Sequence, residues 1–234
     1  TVMIIQSAEA YLNGQVLVID KPKGWTSFQV VKKIRFLIKK KYNLKKIKVG
    51  HAGTLDPLAT GVLILCTGKL TKKINLIQNQ NKIYVGTITL GGTTPSYDLE
   101  TPINNNFKTE HLNKDLIIAK SKKFIGAVEQ KPPIFSALKK NGERLYVKAR
   151  KGEKVNIQKR KVSIKSFEIT EVDGVNVHFK IECGKGTYIR SIAHDLGADL
   201  SCGGYLSRLK RIAVGEYNLT KSLSLENETS LLKL

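Results

Sequence analysis

Residues 160–183, RKVSIKSFEITEVDGVNVHFKIEC, constrain the fold of this chain more than any other stretch. Two runs rich in Val, Ile, Phe and Thr alternate in the period-two manner of half-buried strands. Asp173-Gly174 stands between them, the kind of pair that a two-residue hairpin turn prefers. The spacing therefore predicts a β-hairpin, and a fold that must supply a sheet to receive it.

The rest of the chain mixes strands and helices without regular alternation. QVLVID reads as a short strand ending in the turn KPKG. A helix follows, with Thr26 and Gln29 as a capping box and Val30, Ile34, Leu37 and Ile38 as its apolar stripe. Its other face carries Lys32, Lys33, Arg35, Lys39 and Lys40, as a solvated helix face would. GVLILCTG reads as a buried strand, and KLTKKINLIQ has helical spacing through Leu70, Ile74 and Ile77. KIYVGTITLGG alternates as a strand with Tyr84, Gly86, Ile88 and Leu90 on one face. GKGTYIRSIAHDLGADL predicts a glycine turn and a helix capped at Thr187, with Ile189, Ile192, Ala193, Leu196 and Leu200 inward. The expectation is an α+β fold with a large mixed, mainly antiparallel sheet flanked by helices and loops.

Composition narrows the partner. The 234 residues include 40 Lys and Arg against 19 Asp and Glu, a formal charge of +21, while 41% hydrophobic content is ordinary for a globular chain. So large a charge points to a polyanion, either nucleic acid or an acidic membrane surface. Residues 120–161 are densely basic, broken by Pro132-Pro133 and interleaved with Phe135 and Tyr146. Cations that track phosphates beside aromatics that stack on bases read as an inserted RNA-facing loop. The three cysteines, Cys66, Cys183 and Cys202, are far apart and form no C-x-x-C pair, which suits a reducing compartment. No apolar run is long enough to span a membrane, and the N-terminus lacks a signal-peptide pattern, so a cytoplasmic location is expected.

GHAGTLDPLATG, residues 50–61, is the stretch with chemical character. Asp56 is the only acid between Asp20 and Asp98. Asp-Pro is a common helix start, so Asp56 could simply cap a turn over PLAT ended by Gly61. Pro57 would also hold Asp56 extended and fix where its oxygens point. Glycines at 50, 53 and 61 let a bulky ligand approach the backbone. An acid in a positive field should stay ionised, as a nucleophile or base must. No second acid lies near it to form a glycosidase pair, and neither a calcium loop nor a Walker loop surrounds it.

GHAGTLDPLATGVLILCTGKLTK resembles the catalytic motif of TruB-type tRNA pseudouridine synthases. VLVIDKPKGWTS resembles the K-P-x-G-x-[ST]-S segment of that family, and KIYVGTITLGGTTPSYDLE its tyrosine-bearing strand and T-x-S-x-D loop. QKPPIFSALKKNGERLYVKARKG, CGKGTYIRSIAHDLG and CGGYLSRLKRIAVGEY resemble its later motifs in family order. The resemblance implies the pseudouridine synthase fold and an isomerase that turns uridine 55 of the tRNA T-loop into pseudouridine. It implies Asp56 as the catalytic carboxylate, Tyr84 stacking on the target base, and Arg190 pairing with the aspartate. Tyr188 and Leu209 would line the uracil pocket, His51 would fill the space left by the flipped uridine, and Lys21 and Asp98 would lie near the site. No metal or other cofactor is implied.

The same resemblance implies the tRNA T-arm as partner, with no obligate protein partner, no membrane and a monomeric state. It places the catalytic domain at 1–217 and leaves 218–234 as a tail too short for a C-terminal PUA domain. Two other readings stand beside the enzyme: a tRNA-binding and folding module, and a guide-directed synthase in a ribonucleoprotein.

Overall fold

Strand-forming residues in the hairpin and in the runs at 16–21, 60–67 and 82–90 all enter one sheet. The computed structural model describes residues 7–140, 142–153 and 155–225. Among them, ten strands make a mixed, mainly antiparallel sheet. They are β1 (Val16–Lys21), β2 (Val49–His51), β3 (Thr60–Thr67), β4 (Lys82–Leu90), β5 (Gly126–Gln130), β6 (Arg160–Asp173), β7 (Asn176–Cys183), β8 (Gly204–Val214), β9 (Tyr217–Asn218) and β10 (Leu223–Ser224). The helices are α1 (Ala8–Asn13), α2 (Ser27–Lys41), α3 (Ile74–Gln78), α4 (Lys114–Ser121), α5 (Leu145–Arg150) and α6 (Ile189–Asp199). The chain divides into two compact units, Thr1–Tyr84 with Lys210–Leu234, and Val85–Leu209.

In the first unit β3 is central. It pairs antiparallel with β1 from Val16↔Cys66 to Lys21↔Gly61, and its far end pairs with β2. Thr60 and Gly61 pair in parallel with Lys210 and Arg211 of β8. Val62, Ile64 and Cys66 join Ala52, Ile77 and Val214 in a core on one face. Leu63 and Leu65, pointing the other way, are also fully buried. Five consecutive apolar residues covered on both sides explain a run without alternation, each worth roughly 1.5–3 kcal/mol of burial where the side chain is large. Gly61 (φ +100°) is required at the β3–β8 approach, since a Cβ there would lie 2.2 Å from Arg211 O. The capping box forms as expected at Thr26 and Gln29, and α2 buries Val30, Val31, Ile34 and Ile38. The helical reading of KLTKKINLIQ holds only from Ile74, because Gly68–Lys73 winds as a 3₁₀ turn. Leu223 and Ser224, within the expected tail, pair in parallel with Ile19 and Asp20 of β1. Residues 226–234 of that tail and residues 1–6 of the N-terminus lie outside the described residues.

In the second unit β6 and β7 form the expected hairpin, but its loop is Gly174-Val175 and Asp173 is the last paired residue, opposite Asn176. Gly174 has φ +55° and Val175 does not adopt positive φ. A positive φ at the first loop position only is the type II′ pattern, which moves the glycine to the front of the turn. Phe124, Phe167 and Phe179 stack edge to face at 6.2 and 6.0 Å in the core. On α6, Ile189, Ile192, Ala193 and Leu196 are buried as the spacing predicts. Gly197 lets α6 press on the 203–204 backbone, where a Cβ would meet Gly204 N at 2.1 Å. The described residues of the basic stretch 120–161 are not a loop throughout. They include the end of α4, the strand β5 paired to β6, and α5.

Candidate active site

The Asp56 segment does not start a helix. Ala59 N–H donates to Asp56 O at 3.1 Å, closing one turn over Pro57-Leu58, and the chain then enters β3 at Thr60. Ladder pairing from Gly61 onward takes the backbone groups that a helix would have used. Asp56 thus sits at the tip of a loop between β2 and β3, and the cap-only reading loses its helix.

Three side chains hold that loop by its backbone. Lys21, at the end of β1 and fully buried, sends Nζ to Trp25 O at 2.7 Å, Pro22 O at 3.0 Å and Pro57 O at 3.2 Å. Ser27 at the start of α2 donates to Leu55 O at 2.9 Å and accepts from Leu55 N–H at 2.8 Å. Arg211 of β8, 1% exposed, donates from Nε to Val62 O at 2.7 Å, from Nη2 to Gly53 O at 3.1 Å and from Nη1 to Thr54 O at 3.4 Å. Gly24 N–H adds a fourth tie, to Pro57 O at 2.8 Å. The residues on both sides of Asp56 are therefore fixed while its carboxylate is left half-buried at the tip.

The electrostatics match. Lys21 and Arg211 are buried cations whose described hydrogen bonds all end on neutral carbonyls, an expensive arrangement unless an anion is near. Burial pushes the Lys21 ammonium down to about 8, the Asp56 carboxylate pulling it up and Arg211 pushing it further down. Asp56 is thus close enough to offset part of the burial cost. His51, at the end of β2, is held below its ordinary value by burial and by Arg211, so its ring is neutral at pH 7. Its Nδ1 is buried without a hydrogen-bond partner among the described residues.

The second unit assembles another group of the expected residues. Arg190, second in α6, approaches Asp98 Oδ2 at 3.6 Å with both side chains almost fully buried. Its Nη1 donates to Phe135 O at 3.0 Å and Ser96 O at 3.1 Å. Asp98 Oδ1 accepts from Glu100 N–H at 2.9 Å. The acid that meets Arg190 within its own unit is thus Asp98, which explains a cation in the first turn of a helix, where the dipole opposes it. Tyr188 exchanges backbone hydrogen bonds with the Gln130 side chain at 2.8 and 3.0 Å, and the Arg160 guanidinium lies 5.2 Å from its ring centroid. Tyr188 is itself the N-cap of α6, without a side-chain cap. The expected Thr187 cap is therefore corrected: its hydroxyl donates back to Gly184 O at 3.1 Å, closing the glycine turn instead. Tyr84 is buried on β4 and Leu209 half-buried on β8.

Arg211 and Ser27 are the residues that sequence reasoning missed. The signal for Arg211 was present in GGYLSRLKRIAV, where a cation alternates with Leu209 and Ala213 on one strand face. Such a residue needs buried acceptors, and the carbonyls of Gly53, Thr54 and Val62 supply them.

Fold and site define a pseudouridine synthase. A chain of the crystal structure of a Cbf5-Nop10-Gar1 complex aligns at TM-score 0.71 and 29% identity over 94% of this chain, which spans about half (55%) of that longer chain. Residues 39–189 match the model of the TruB family pseudouridylate synthase N-terminal domain, and the chain belongs to that family of isomerases. The tRNA pseudouridine synthase B of Flavobacterium johnsoniae is 53% identical over 93% of this chain and 95% of its own. That of Phocaeicola vulgatus is 48% identical over 93% of this chain and 92% of its own.

Proposed function

We propose that this protein converts uridine 55 in the T-loop of tRNA to pseudouridine, with Asp56 as the catalytic carboxylate. The observation that carries the reading is the Asp56 loop, its backbone clamped by Lys21, Ser27 and Arg211 so that one acid is presented beside two buried cations. Its likeness to tRNA pseudouridine synthase B along almost the whole chain supplies the substrate.

The isomerisation breaks the C1′–N1 bond, rotates the uracil and forms C1′–C5. The proton leaving C5 is balanced by the one that N1 gains, so no electrons are lost and no group departs. Asp56 serves by attacking the nucleotide or by taking the C5 proton. Tyr84 and Arg190 complete the catalytic set, and His51, Tyr188 and Leu209 contact substrate. Lys21 and Asp98 are buried and serve the site by positioning, Lys21 through the backbone of the Asp56 loop and Asp98 through Arg190. Flipping the uridine costs a few kcal/mol, and the neutral His51 ring is suited to the apolar gap it leaves. Catalysis by the chain alone, as a monomer, belongs to the same proposal.

The test is to map pseudouridine in unmodified tRNA incubated with the purified chain and nothing else added. A single new pseudouridine at position 55, lost in Asp56→Asn with thermal unfolding unchanged, supports the reading. Full activity in Asp56→Asn, or modification confined to another arm, overturns it.

A further inference from the structure

The first unit carries a second feature that the chemistry of Asp56 does not use. Arg35 and Lys39 from α2 and Lys45, Lys46 and Lys48 from the following loop line one open groove of about 590 Å³, whose floor includes Ile47, Val49 and Gly50. No acid occurs in the sequence from Lys21 to Leu55, and the ion pairs of the described residues involve none of these five cations. Five cations around one concavity concentrate positive potential as a convex face does not.

The groove has a direction. Val49 and Gly50 belong to β2, and the next residue of that strand is His51. The basic concavity therefore runs up to the residue that leads into the Asp56 loop. Double-helical RNA offers phosphates and little readable base edge in its narrow major groove, so proteins grip it through the backbone.

We propose that this groove is a phosphate-binding track for the base-paired stem next to the loop that holds the target nucleotide. The proposal rests on the reading that the substrate is an RNA stem-loop, and it adds where the stem lies and which side chains hold it. Arg35, Lys39, Lys45, Lys46 and Lys48 bind phosphodiester oxygens without reading sequence, and set how far the loop reaches toward Asp56.

The experiment compares binding of a T-arm stem-loop with binding of the same loop sequence as an unpaired strand, over a salt series. Lys39→Gln/Lys45→Gln/Lys46→Gln should lower the slope of log affinity against log salt by about three for the stem-loop. Its affinity should drop on the order of tenfold or more at low salt, with a much smaller loss for the unpaired strand. Lys108→Gln/Lys165→Gln/Lys180→Gln removes equal charge from exposed positions of the second unit and should leave the stem-loop slope nearly unchanged. The matching Lys→Arg triple in the groove should bind like the parent, which guards against misfolding. Equal losses from both Gln triples, or an unchanged slope in the groove triple, overturn the track. So does capture of anionic phosphatidylglycerol vesicles through these lysines without any stem-loop binding. Failure of the isomerase reading is seen separately, as absent pseudouridine formation by the parent chain.

Discussion

Ser27 and Leu55 exchange hydrogen bonds in both directions: the hydroxyl donates to Leu55 O at 2.9 Å and accepts from Leu55 N–H at 2.8 Å. One side chain thus satisfies both backbone groups of the residue before Asp56. Removing it leaves two buried polar groups without a partner, each worth about 1–3 kcal/mol. Ser27→Ala should destabilise the chain by roughly 2 kcal/mol and lower kcat more than it raises KM, because the carboxylate is misaimed rather than the RNA released. Urea unfolding and single-turnover kinetics on a T-arm substrate check both. A variant with parental kcat shows that Asp56 does not depend on this clamp.

Arg211 does the same work from the other side, with three carbonyls on one guanidinium. Lysine at 211 has a single donor centre and cannot reproduce the planar fork. Arg211→Lys should therefore lose on the order of 2–3 kcal/mol of stability and also lose activity, while Arg211→Met should be worse in both. Denaturation midpoints and pseudouridine yield at saturating RNA test the order. Equal stability of Lys and Arg at 211 shows that only charge, and no fork, is needed.

How far the sequence speaks is clear from these residues. The hairpin, the α2 stripe, the capping box and the buried β3 run were legible because each depends on side-chain period and local turn chemistry. The turn register and the end of the glycine loop at Thr187 were not, because tertiary pairing decides between neighbouring options. Asp56 stood out as a lone acid in a basic stretch, but its clamps come from residues 21, 27 and 211, far apart in sequence. Arg190 could be read as needing an anion. That Asp98 meets it within the second unit depends on a turn at 94–98 in which Tyr97 takes φ +64°, a conformation that no local pattern announces.

Lys21 gives a prediction with a definite sign. Its ammonium is pushed down to about 8 in the fold, against an ordinary value near 10.4 in an open chain. Between those values the unfolded chain holds the proton and the folded one does not, so stability from this group rises with pH. It is fully present above the unfolded value and lost as pH falls through about 8. Relative to Lys21→Met, the parent should gain on the order of 2–3 kcal/mol between pH 8 and 10.5. Urea titrations of both proteins across that range measure the difference, which cancels the other titrating lysines and tyrosines. A gap that stays constant with pH shows that Lys21 is not held at a depressed value.

Arg190 and Asp98 offer the last test, since the pair lies 3.6 Å apart and nearly out of water. Breaking a buried pair by removing one partner costs about 3–5 kcal/mol, because the other charge stays behind in a poor environment. Asp98→Asn keeps the shape and an acceptor for Glu100 N–H but removes the charge, so its cost should fall at the lower end, about 3 kcal/mol. Arg190→Met removes the cation and its bonds to Ser96 and Phe135, and should cost at least as much. The double variant should be less damaged than the sum of the two by 1 kcal/mol or more, a coupling typical of residues in direct contact. A double-mutant cycle by urea unfolding reads that coupling directly. Simple additivity shows that the two side chains hold the second unit independently, with Asp98 acting through its turn rather than through Arg190.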